Sequence, residues 1–171
     1  MLPLTEPTKN HDQWEDATAQ VSRWRGDCLQ SFTQSETAVT ETLLILNAVK
    51  EKGASVKLPH LIGQRFEALR IAIGPEGPFA KDGKKAHEAI SAFLVREQLR
   101  AFLCHGVAKV ALERSGSWIA IFNLTTLRSQ KCDRTQLVVT QVEANGILQE
   151  IKQSGNKLGT ALGNLRRQLA D

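Results

Sequence analysis

Leu99-Arg100-Ala101-Phe102-Leu103-Cys104-His105-Gly106, followed at once by Val107-Ala-Lys-Val-Ala-Leu112, is where this chain changes its period. Before it, Ala86, Ile90, Phe93, Leu94, Leu99, Phe102 and Leu103 recur at helical spacing, which predicts a helix from about Lys84 to His105. Gly106 suits the position after the last helical residue, because glycine takes the left-handed conformation that closes a helix without a Cβ penalty. From Val107 onward β-branched and aromatic residues take over, in Val107–Leu112 and again in Trp118-Ile-Ala-Ile-Phe-Asn-Leu124. Glu113-Arg-Ser-Gly-Ser117 between them has hairpin turn chemistry, so a small two-stranded hairpin packed on helices is expected.

Working outward, Trp14, Ala17, Val21, Trp24, Cys28 and Phe32 step by three and four along one helix face. A second run through Val39, Leu43, Leu46 and Val49 follows Gln34-Ser35-Glu36, and the pattern allows either two helices or one long one. Leu58 to Ile73 reads as a further helix, stopped by Gly74-Pro-Glu-Gly-Pro78. Residues 133–169 return to helix, with a seam of Ile151, Gly155, Leu158, Leu162, Leu165 and Leu169. Gly155, Gly159 and Gly163 lie one turn apart in it. Each glycine costs about 1 kcal/mol against alanine, so either another backbone comes close, at Gly159 in particular, or the helix breaks at Ser154-Gly155-Asn156.

The expected fold is therefore all-α, an up-and-down helical bundle with a small β-hairpin inserted before the long C-terminal helix. Residues 1–12, with two prolines near the start, read as a flexible lead-in to a single helical domain over 13–171. A chain of 171 residues suits one domain. Cys28, Cys104 and Cys132 are odd in number and lack a C-x-x-C pair, which argues for reduced thiols in a cytoplasmic protein rather than a disulfide frame. No apolar run approaches the ~20 residues that cross a bilayer, and no charged-then-apolar signal layout opens the chain, so no membrane partner is expected. His11, His60 and His87 are scattered without metal-ligand spacing, and Gly74-Pro-Glu-Gly-Pro78 has prolines where a phosphate cradle needs free N–H groups. Neither a metal nor a cofactor is expected. The formal net charge of +4 permits nucleic-acid binding without demanding it.

Arg100 and His105 are the candidate catalytic pair. His105 falls in the last turn of its helix, where the dipole favours the protonated ring, and a ring partly exposed to solvent can exchange protons. Arg100 keeps its charge and offers a planar fork for phosphate oxygens. A proton-transfer group with an anion clamp is the minimum chemistry for cutting RNA without a metal, by attack of the ribose 2′-OH. Five residues of helix separate the two side chains by about 140° and ~7.5 Å of rise. Arg96, earlier on the helix, is a candidate RNA-binding residue. The competing reading pairs Arg100 with a carboxylate such as Glu97 and leaves His105 to cap carbonyls.

Arg100-Ala-Phe-Leu-Cys-His105 with Gly106 resembles the R-x4-6-H motif of the HEPN (higher eukaryotes and prokaryotes nucleotide-binding) superfamily of all-helical domains. The layout of the preceding helices, Ser35 to Leu46 and Leu58 to Arg70, and of the long C-terminal helix is similar over roughly residues 14 to 170. The resemblance implies a homodimer that juxtaposes two motif copies. It also implies a metal-independent endoribonuclease, of toxin or defence type, with RNA as substrate and an antitoxin or other protein as partner. Ala101 stands where active members often carry Asn, Asp or His. With the modest charge, it favours the alternative of a non-catalytic dimerisation or protein-interaction module.

Overall fold

The structure, a computed structural model, describes residues 8–170. In chain order the elements are α1 (Thr8–Ala48), a 3₁₀ turn (Lys52–Ser55), α2 (Ile62–Ile73), α3 (Ala80–Leu94), α4 (Glu97–His105), β1 (Val107–Leu112), β2 (Trp118–Arg128), β3 (Lys131–Thr140) and α5 (Gln141–Ala170). Residues 1–7 of the expected lead-in lie outside the described residues, and Thr8 already begins α1. The chain divides into two compact units, Met1–Leu29 with Gln98–Gln149 and Gln30–Glu97 with Glu150–Asp171. No helix among the described residues is long and apolar enough to cross a membrane.

The first unit is built on an antiparallel sheet of order β1-β2-β3. β1 and β2 pair from Leu112↔Trp118 to Val107↔Asn123 across the Glu113–Ser117 turn, where Gly116 has φ 87°. Trp118, Ala120, Phe122 and Leu124, alternate residues of β2, form the buried face together with Val139 of β3. Trp24 of α1 meets that face, its ring 6.1 Å from those of Trp118 and of Phe122. Its indole N–H donates to the Ala144 carbonyl at 2.8 Å. Trp14, ten residues earlier on the predicted core face, is 49% exposed instead.

An all-α bundle carrying a small hairpin is thus not what forms: the sheet has three strands. β2 runs on through Thr125 and Thr126 to Arg128 and turns back into β3, which pairs with it from Arg128↔Lys131 to Ile119↔Thr140. Asp133 to Thr140 is therefore strand, although it reads as the start of the C-terminal helix. The turn explains why. Ser129 and Gln130 both have positive φ, 47° and 65°, as a two-residue type I′ hairpin requires, but that turn ordinarily shows itself as Asn-Gly or Asp-Gly. Nothing in Ser-Gln announces it.

α5 starts instead at Gln141, and Thr140 and Glu143 form a capping box there. The Thr140 N–H and hydroxyl donate to Glu143 Oε2 at 2.9 and 2.8 Å, and the Glu143 N–H donates back to Thr140 Oγ1 at 3.3 Å. The predicted helix from Lys84 to His105 is likewise two. α3 begins at Ala80 and ends at Leu94, and the Arg96 N–H bonds to the Phe93 carbonyl at 3.1 Å in a tight turn before α4. α2 begins at Ile62 rather than Leu58, because Pro59 holds the residue before it in extended conformation.

In the second unit Phe93 of α3 is the common neighbour. Its ring stacks on Phe66 of α2 at 5.8 Å and meets Phe32 of α1 edge-on at 5.7 Å. Ile151, Leu158, Leu162 and Leu165 of α5 are all buried. The close approach on that helix is at Gly155, where a Cβ would lie 3.0 Å from Ser35 Oγ and 3.8 Å from Phe93 Cε2. Gly159, the position the glycine spacing pointed to, has open space around it, as does Gly163. The helix does not break at Ser154 to Asn156. A second tight contact is Gly83 of α3, where a Cβ would fall 2.5 Å from Ile73 Cβ of α2.

These contacts give glycine substitutions opposite signs. Gly159→Ala should raise stability by about 0.5–1 kcal/mol, the helix-propensity gain at an open site. Gly83→Ala should lower it by about 1–3 kcal/mol through overpacking, despite the same propensity gain. Urea denaturation midpoints of the two variants check both signs. The capping box predicts a pH effect. The Thr140 N–H, then its hydroxyl, hold the Glu143 carboxyl below the usual glutamate range, so the unfolded chain takes up that proton first as pH falls. The stabilisation is full above the ordinary glutamate value of about 4.3 and is lost as pH drops through the folded-state value. The melting-temperature gap between parent and Glu143→Gln, followed by circular dichroism, should shrink from about pH 7 to about pH 3.

Candidate functional site

α4 carries the predicted motif, with Glu97 in its first turn and His105 in its last, the charge order the helix dipole favours. Phe102 and Leu103 are buried and fix which face turns inward, while Arg100, Ala101 and Cys104 are half-buried. His105 ends the helix with its ring exposed. The helix closes through the Gly106 N–H, which donates to the Phe102 carbonyl at 2.9 Å.

Gly106 does not take the left-handed conformation expected of it; among the described glycines Gly116 alone has positive φ. Its need for glycine is steric. A Cβ there would collide with the Phe102 carbonyl oxygen and sit 3.3 Å from Phe122 Cβ of β2. Glycine at this position lets the chain leave the helix directly into β1, against the sheet's buried face.

The end of α4 is held by Arg25 of α1, a residue the sequence reading did not single out. Its Nε donates to the Leu103 carbonyl at 2.6 Å and its Nη2 to the Gly106 carbonyl at 3.3 Å. The guanidinium also lies 5.7 Å from the Phe122 ring centroid, within cation–π range. These are carbonyls that a capping histidine would serve. With Arg25 on them, the His105 ring makes no hydrogen bond among the described residues. Arg25 stands 78 residues before Leu103, so no local pattern could have connected them.

Arg100 and His105 share one helix, and the standard helical rotation sends their side chains about 140° apart. Arg96 stands in the turn before α4. Its Nη2 pairs with Glu150 Oε2 at 3.4 Å and its Nη1 donates to the Ala92 carbonyl at 3.3 Å. A carboxylate therefore already balances its charge, and it belongs to the other compact unit from Arg100 and His105. At the start of α1, His11, Asp12 and Glu15 bring ligand atoms within 4.8 Å of one another, a grouping that the scattered histidines do not announce in sequence. All three are exposed, and His11 Nδ1 lies 3.2 Å from Glu15 Oε1, an i,i+4 pair on a solvated helix face.

Comparison with protein-family models, with curated proteins and with solved structures gives no match for this chain.

The cap makes one prediction. Arg25→Ala leaves the Leu103 and Gly106 carbonyls without their charged donor and should cost about 2 kcal/mol, the scale of a hydrogen bond to a charged group. Arg25→Lys should recover only part, because one ammonium replaces a fork that reaches both carbonyls. Chemical denaturation of the two variants against the parent measures the difference.

Proposed function

We propose that this protein acts on RNA as a HEPN-like, metal-independent endoribonuclease in the cytoplasm, with His105 and Arg100 as its reacting groups. The observation that carries the reading is the state of His105. Its imidazole is exposed at a closed helix end, and the capping work that would otherwise occupy it is done by Arg25.

A neutral imidazole there takes the proton from a ribose 2′-OH as the 2′-oxygen attacks phosphorus. The bond from phosphorus to the 5′-oxygen breaks, and the leaving oxygen takes a proton back from the imidazolium. Arg100 pairs with the non-bridging oxygens as charge builds on them. Because one helix sends the two side chains in different directions, the working site takes Arg100 of one copy and His105 of a second copy related by a two-fold axis. None of Cys28, Cys104 and Cys132 is in a disulfide, which is consistent with a reducing compartment. One observation favours the non-catalytic dimerisation module instead: half-buried Ala101 brings no polar group beside Arg100.

The test is incubation of purified protein with unmodified mixed-sequence RNA in excess EDTA. The parent should cut and leave 2′,3′-cyclic phosphate ends. His105→Ala should slow cutting by about 10²–10⁴-fold, the usual scale of general acid–base catalysis. Arg100→Lys should also slow it, since the charge stays but the two-point grip goes. Mixing the two weakened variants should restore part of the rate, because some dimers then hold one intact pair. A parent that does not cut, or variants that cut like it, would overturn the enzyme reading in favour of the interaction module.

A further inference from the structure

In the second unit, the first two turns of α3 and the last turns of α5 border an open groove of about 1020 Å³. Lys81, Lys84 and Lys85 reach it from α3, Lys157 and Arg167 from α5, and Asp82 is its one carboxylate. Five cations against one anion give this groove as much net charge as the whole chain, +4. Elsewhere in the same unit three arginines face carboxylates. Arg70 is paired with Glu67, Arg96 with Glu150 and Arg166 with Glu41. None of the four groove lysine side chains has an ion pair or hydrogen bond among the described residues. Arg167 is bonded to the neutral Asn164 side chain.

The arrangement works against the fold. Three lysines sit in the first two turns of α3, where the helix dipole is already positive, and Lys81 and Lys85 are like charges at i,i+4. Charge that opposes stability and lacks protein partners implies an anion outside the chain. We propose that this groove binds the phosphodiester backbone of a nucleic acid, independently of base sequence. Its lining holds no aromatic ring on which bases could stack, which leaves the backbone as the part to grip. Asn156, Thr160 and Gln168 add neutral groups for phosphate and sugar oxygens. Ala86 and Leu165 of the lining are themselves almost fully buried, which leaves the charged and neutral polar groups as the part a ligand meets first. Only the choice of RNA over DNA as the natural source of that backbone rests on the proposed function.

The probe is a fluorescein-labelled, 2′-O-methyl RNA of about 20 nucleotides and mixed sequence, which cannot be cut by attack of its 2′-oxygens. Binding is read by anisotropy from about 50 to about 200 mM salt, the range over which phosphate contacts weaken markedly. The parent should bind with strong salt dependence. Lys81→Gln/Lys85→Gln/Lys157→Gln should bind about 10-fold or more weaker and lose about 2 from the salt slope, ~0.7 for each phosphate contact on a single strand. It should also melt at or above the parent's temperature, an outcome that a structural role for these lysines would not produce. A charge-matched control, Lys50→Gln/Lys57→Gln/Lys131→Gln, removes exposed lysines outside the groove and should keep near-parental binding. Groove and control variants with equal affinity, or poly-glutamate competing as well as RNA, would overturn the proposal. DNA of the same sequence bound more tightly than RNA would overturn the choice of RNA. A parent that binds this probe yet leaves unmodified RNA uncut defeats the ribonuclease reading and leaves the groove standing.

Discussion

Two adjacent residues of α1, Trp24 and Arg25, hold the first unit together. Trp24 is nearly fully buried, packs its ring against Trp118 and Phe122, and ties the start of α5 through the Ala144 carbonyl. Arg25 reaches the end of α4 and covers Phe122. One helix turn thus contacts the sheet, the motif helix and the C-terminal helix at once. The cost is a half-buried guanidinium, which is offset because it donates to carbonyls that the helix end would otherwise leave unsatisfied. Gly106 belongs to the same arrangement, since any larger residue would push α4 away from β2.

The sheet that results is unevenly supported. β1 pairs with β2 only as far as Asn123, so the end of β2 from Leu124 and the matching start of β3 pair with each other alone. Residues Lys131 to Gln136 are exposed. A two-stranded ribbon is marginal by itself; this one continues from a register already fixed where alternate β2 side chains are buried against Trp24. Slipping by one residue would turn Trp118, Ala120, Phe122 and Leu124 outward together.

The two candidate sites differ in what they ask of the fold. His105 needs rigidity and freedom at once, and Arg25 provides both by fixing the helix end while taking its carbonyls. Arg100 gains nothing comparable from its own helix, because an intrahelical pair five apart diverges. The lysine-bordered groove on α3 and α5 needs no such precision. Phosphate attraction acts over a Debye length of about 10 Å, so flexible lysines without carboxylate partners are sufficient.

Features set by short-range rules were legible in the sequence. The end of the motif helix at His105, the β1–β2 hairpin across Glu113–Ser117, and the buried stripe of Ile151, Leu158, Leu162 and Leu165 all follow from apolar period and turn residues a few positions apart. The exposed His105 at that helix end was legible for the same reason. β3 was not, because Ser129 and Gln130 adopt left-handed conformations that only the pairing of Leu124–Arg128 with Lys131–Thr135 compensates. Gly155 rather than Gly159 meets a neighbour because helix rotation relative to Ser35 and Phe93 decides it, and three equally spaced glycines look alike in sequence. The Arg25 cap and the lysine groove also join residues about 80 apart. Local propensity acts over a turn or two of chain, while a cap, a close approach or a charged groove depends on which distant side chains folding brings within a few ångströms.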